Sequence, residues 1–120
     1  MSPLTDALFA VSPKVRYVAV LHGKELTLQE RAGIAGASAA ETDRYEELLV
    51  NPAVLTLLSR RGEIDCGGLD HVWIRYGNFW TGLFPTTDGH VNVGLEPDAV
   101  PTEHVDAIRL VLERFVPPAR

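Results

Sequence analysis

The sequence predicts an α+β fold, with helices packed on an antiparallel sheet. Three observations carry this reading. Residues 70–85 form a hairpin pattern around Gly77-Asn78, residues 15–22 read as a strand that is apolar on both faces, and helical apolar spacing recurs near both ends and in the middle. In chain order the elements are helix, two strands, helix, three strands, helix.

The first helix is expected over Ser2–Val11. Ser2 is a good N-cap, Pro3 suits the first helical position, and Leu4, Leu8 and Val11 share a face before Ser12-Pro13 ends it. In Val15–His22, Val15, Tyr17, Ala19 and Leu21 face one way and Val18 and Val20 the other, the mark of a central strand covered on both sides. Gly23-Lys24 turns into Glu25–Ala32, whose charged flanks around Leu26 and Leu28 suit a sheet edge. Gly33–Ala40 reads as a loop, and Ser38-Ala-Ala-Glu41 has capping-box spacing, so the central helix should start there. Pro52 either kinks that helix or begins a new one with Asn51 as cap. Arg60 and Arg61 then close it, with Gly62 as the residue just past its end. At about 100° per residue, Val50, Val54, Leu57 and Leu58 share one face, while Tyr45, Leu48, Pro52 and Leu55 lie nearly opposite. A chain of this size covers only one such face, so the other asks for a partner.

In the hairpin, a type II′ turn at Gly77-Asn78 pairs Tyr76 with Phe79, Arg75 with Trp80 and Trp73 with Gly82. Val72, Ile74, Tyr76, Phe79, Thr81 and Leu83 are then expected to face the core. His71, Trp73, Arg75, Trp80 and Phe84 line the other side, with Arg75 over Trp80 and Trp73 over Gly82. Asp88-Gly89 turns into His90–Glu96. Thr102 caps a last helix with Val105, Ile108, Leu112 and Phe115 on one face, stopped by Pro117-Pro118.

Composition narrows the function classes. The chain has 120 residues, 46% hydrophobic and 22% charged, which suits a single globular domain over 1–120 with residues 1–13 as a short helix or arm. A net charge of −5 gives no basic footprint for nucleic acid. No apolar run reaches the roughly 18 residues of a membrane span, and the start lacks a signal-peptide pattern. With one cysteine there is no internal disulfide framework. A cytoplasmic protein is expected, bound neither to nucleic acid nor to membrane.

No motif points strongly to catalysis. Cys66, in Asp65-Cys-Gly-Gly68, is the most reactive residue type available, and His71 or His90 could stand near it as a base after folding. The alternative is a small buried hydrophobe, the usual fate of a free cysteine. His22, His71, His90 and His104 show no metal-ligand spacing and read as surface or cap residues. Glu46 and Glu47 read as a solvated helix face rather than an acid/base pair. Neither GxGxxG nor a P-loop is present, so no cofactor, metal or nucleotide is expected. The aromatic stripe Trp73, Trp80, Phe84, bordered by Arg75 and His71, suits either a protein interface or a sheet face lying under a helix.

From Val15 to Phe115, the element order, the long central helix and the three-stranded meander resemble the Roadblock/LC7 family of profilin-like folds. The resemblance implies a five-stranded antiparallel sheet of order 2-1-5-4-3, with the central helix on one face and the terminal helices on the other. It also implies a homodimer built on the central helix and the neighbouring edge strand. Tyr45, Leu48, Pro52, Leu55, Leu58, His71, Trp73, Arg75 and Trp80 are the expected interface. The implied function is a non-enzymatic adaptor or regulator in a small Ras-like GTPase module, as in bacterial polarity and motility systems of the Mgl type. Its partner would be a related Roadblock protein, the GTPase itself or a response-regulator-like protein. Two features depart from the family pattern: a short first helix and the Asn51-Pro52 interruption. Two rival readings remain: a PAS/profilin-type small-ligand sensor whose pocket is lined by Cys66–Gly68 and the aromatic face, and a Cys66-dependent enzyme.

Overall fold

The computed structural model describes residues 2–31 and 40–116. Helix α1 (Pro3–Phe9) is followed by strands β1 (Val15–His22) and β2 (Glu25–Glu30). The central helical segment comprises α2 (Ala40–Tyr45), a π-helical turn (Glu46–Val50) and α3 (Asn51–Asp65). Strands β3 (Val72–Arg75), β4 (Trp80–Thr86) and β5 (Gly89–Leu95) form the meander. A 3₁₀ turn (Pro101–Glu103) then leads into α4 (Val105–Phe115). Of the expected loop Gly33–Ala40, Ala40 instead begins α2, and the rest, with the Ser38 cap and the Pro117-Pro118 stop, lies outside the described residues.

The five strands form one antiparallel sheet of order β2-β1-β5-β4-β3, as the resemblance implied. On one face α1 and α4 pack together and cover an apolar core of Leu8, Val18, Phe84, Val91, Val93, Leu95 and Ile108. Ser2 caps α1 by accepting from the Thr5 N–H at 3.1 Å. The opposite face carries the π turn and α3.

Several local expectations need correcting. Val15 does not share a face with Tyr17: a β-bulge between them places Val15 in the apolar core with Val18 and turns Tyr17 to the other side. The larger apolar core lies on the Trp73, Trp80 and Phe84 face, whereas on the other side Val72 and Ile74 are only half-buried and Tyr76 is exposed. The hairpin register is as expected, with Arg75 opposite Trp80, Trp73 opposite Gly82, and Tyr76 N–H donating to Phe79 O at 3.0 Å. Its turn is not type II′, however, because Gly77 does not have the positive φ that type requires. Gly62 does not end the central helix. It is buried inside the last turns, where a Cβ would lie 3.1 Å from Gly68 C, and Gly67, at φ +80°, is the left-handed residue past the end. Thr102 falls in the 3₁₀ turn and α4 starts after His104 with no side-chain cap.

Pro52 neither breaks the helix nor begins a new one. It has no N–H to donate and would crowd the carbonyl four residues back. The chain therefore widens by one residue just before it, and Asn51 N–H bonds Glu46 O in an i to i+5 pattern. The helix continues, so Asn51 sits within it at φ −64° and ψ −43° and is no cap.

Candidate functional site

The widened turn aims Glu47 at the sheet. This carboxylate is fully buried, and its four acceptor positions meet four donors. Tyr17 O–H donates to Oε2 at 2.8 Å and Asn92 Nδ2 to Oε2 at 2.7 Å. Asn51 Nδ2 donates to Oε1 at 2.8 Å, and His90 Nε2 lies 2.8 Å from the same oxygen. The donors come from β1, β5 and the helix itself, so the cluster ties the central helix to the two middle strands. Burial, with the Glu47 carboxylate next in importance, holds the Tyr17 phenol far above its ordinary pKa. The solvated-face reading of Glu47 is thus wrong, and so is the surface reading of His90, which is 1% exposed. The signal was present in the sequence. Glu47 and Asn51 lie one turn apart, and His90 and Asn92 are two residues apart, so all four can point into one gap between helix and strand.

Beside this cluster is a cavity of about 230 Å³ between the sheet and the start of the central helix. Glu46 reaches it from the π turn, Tyr76 and Phe79 from the ends of the β3–β4 hairpin, and Thr81 and Asn92 from the strands. Burial pushes the Glu46 carboxyl above its usual range, partly offset by a hydrogen bond from Tyr76 O–H at 3.3 Å. The Tyr76 phenol is raised in turn, by burial first and then by the Glu46 charge.

The outward side of the central helix carries exposed apolar side chains among charged ones such as Arg60, Arg61 and Glu63. Tyr45, Leu49, Leu57 and Ile64 are 60%, 59%, 70% and 75% exposed, and Leu58 is 40% exposed. Of the expected interface residues on this helix, Tyr45 and Leu58 lie on the open side, while Leu48 and Pro52 are half-buried at its flanks. Leu55 is buried and lines one cleft with Leu21 and Pro85 of the sheet. Tyr45 and Leu55 therefore do not share a face, because the π turn retards the helix by roughly a quarter turn between them. Leu49 and Ile64 belong to the open stripe, and the helical wheel missed both.

The remaining expected interface residues lie on or next to β3. Trp73 and Trp80 are half-buried against the apolar core, with Trp73 lying over Gly82 and Arg75 5.5 Å above the Trp80 ring. His71 stacks on Phe84 at 5.3 Å and bonds Asp70, which also pairs with Arg109 of α4. Burial works upward on the Asp70 carboxyl, but the His71 hydrogen bond and the Arg109 charge outweigh it and hold the pKa low. Arg75 is exposed. The stripe is therefore largely a sheet face under a helix, and Arg75 is its open end.

Cys66 is exposed, not buried, and its Sγ–H donates to Asp65 at 3.3 Å. His71 and His90 are engaged by Asp70 and Glu47. Neither Cys66, Gly67 nor Gly68 lines the cavity beside Glu47. Among the described residues, no three His, Cys, Asp or Glu side chains converge as metal ligands, and no helix is long and apolar enough to cross a membrane.

No protein-family model matches the sequence, and neither does any curated protein. Solved structures do match. A Roadblock/LC7 domain from Streptomyces avermitilis superposes with a TM-score of 0.69 at 12% identity, over 95% of this chain and 92% of that one. The chain has the Roadblock/LC7 fold. The gliding protein MglB of Thermus thermophilus aligns with a TM-score of 0.60 at 11% identity, over 92% of this chain and 81% of that one. An MglB with a tetrameric arrangement gives the same score and identity, over 92% and 80%. Only architecture is shared at such identities, as expected when a fold is set by apolar pattern rather than by particular side chains.

Proposed function

We propose that this protein is a dimeric, non-enzymatic cytoplasmic regulator in a small Ras-like GTPase module, working by docking rather than chemistry. The observation that carries the reading is the outward stripe Tyr45, Leu49, Leu57 and Ile64, on a helix whose inward side is fixed by Glu47. Each such side chain is worth about 1.5–3 kcal/mol when fully buried, so two copies of the stripe would amply drive association. The stripe lies on the helix that the Roadblock/LC7 resemblance assigns to dimerisation. The four-residue edge strand β3, with Arg75 exposed, offers unpaired backbone groups beside it. MglB and Roadblock/LC7 proteins among the structural neighbours support a partner of the GTPase-module type.

Light scattering coupled to size-exclusion chromatography tests the interface. The wild type is expected as a dimer and Leu57→Glu/Ile64→Glu as a monomer with unchanged circular dichroism. Leu55 is unsuitable, because its substitution would disturb the fold itself. A double variant that remains dimeric removes this interface. A GTPase of the Ras-like class that does not comigrate with the dimer in either nucleotide state removes the partner.

A further inference from the structure

The strongest feature that docking does not use is the cavity beside Glu47. We propose that it binds a compact organic cation, a primary ammonium or guanidinium group on a short apolar stem.

Hydrogen bonding gives the sign of the ligand. Three polar atoms of cavity-lining side chains are buried without a partner among the described residues: Glu46 Oε1, Thr81 Oγ1 and Asn92 Oδ1. Thr81 is 0% and Asn92 1% exposed, so bulk solvent does not satisfy them. The Asn92 amide is oriented by Glu47, which needs a donor and takes Nδ2, leaving the acceptor oxygen unmet. Two of the three atoms only accept, and the hydroxyl accepts as readily as it donates. A ligand that satisfies all three must bring several N–H donors, as an ammonium or guanidinium does.

Charge points the same way. Glu30, Asp43 and Glu46 carboxylates line the space with buried Glu47 behind them, and Arg16 is the one cationic side chain among the described lining residues. Arg16 is already occupied, lying 5.5 Å from the Phe79 ring centre, 3.5 Å from Glu96 Oε1 and 3.3 Å from Asn78 O. Tyr17, Tyr76 and Phe79 supply aromatic walls of the kind that attract a desolvated cation. Such walls suit an organic cation better than a hydrated metal ion. At about 230 Å³ the space lies below the roughly 300–1,000 Å³ of sites for drug-sized ligands, which suits a compact group.

The test is a ¹H–¹⁵N NMR titration of the full chain with n-butylammonium chloride. Its neutral isostere, 1-butanol, is run in parallel at equal ionic strength. Saturable shifts at the amides of Tyr17, Glu46, Thr81 and Asn92 are expected with the amine and not with the alcohol. Glu46→Gln, at a half-buried position, should weaken the amine about tenfold. Thr81→Val keeps the shape, so it folds even if the other variant does not, and should weaken binding about threefold. Equal response to amine and alcohol, shifts confined to other acidic surfaces, unsaturable shifts, or wild-type affinity in a folded Glu46→Gln or Thr81→Val would each overturn the proposal. The site lies on the inward side of the helix, so the result stands whether or not the protein dimerises.

Discussion

The two faces of the sheet are built on different physics. Beneath α1 and α4, Leu8, Val18, Val91, Val93 and Ile108 make an apolar core held by shape and burial. Beneath the central helix a buried polar group, Glu47 with Asn51, His90 and Asn92, is held together with the Tyr17 hydroxyl by directional bonds of 2.7–2.8 Å around one carboxylate. The first face tolerates any side chain of suitable shape and supplies cohesion. The second penalises every misplacement, because a buried donor or acceptor left alone costs more than the bond itself contributes. The polar face thereby fixes how the central helix is rotated, and hence which side chains it shows to solvent.

The largest effect should come from breaking the polar face. Glu47→Leu strands four donors and should cost about 5 kcal/mol, enough to abolish the cooperative transition in a marginal domain, as read by urea unfolding. Ile108→Ala on the apolar face should cost less, about 3–4 kcal/mol, by leaving a cavity. If Ile108→Ala proves the worse of the two, the polar face is not the more exacting one.

Tyr17→Phe sharpens the contrast through pH. At neutral pH it should cost about 1–2 kcal/mol for the lost bond to Glu47. The folded phenol has a raised pKa, so its stabilisation is full below the ordinary tyrosine value and falls as pH climbs above about 10, where the unfolded phenol ionises first. The gap between wild type and Tyr17→Phe should therefore shrink in alkaline unfolding curves. A gap that stays constant up to about pH 11 would mean the phenol is not held protonated by the fold.

Much of the fold was legible because local chemistry and apolar period agreed. β1, the hairpin register, the Ser2 cap and the edge position of β2 follow from residues close in sequence. Much of the site was not, although its residue types were visible. Glu47 looks like any surface glutamate until the π turn swings it inward, and His90 looks solvated until its strand becomes central.

By itself, the sequence determined the alternation of helices and strands, the apolar face of α4 and the pairing of Arg75 with Trp80, since each depends on spacing within one element or one turn. Only the tertiary structure decided that the central helix sets Glu47 and Leu55 against the sheet and leaves Tyr45, Leu49, Leu57 and Ile64 open. The reason lies in the extra residue before Pro52. It alters the rotation of the helix, and which rotation is stable depends on four donors that reach Glu47 from residues 4 to 45 positions away.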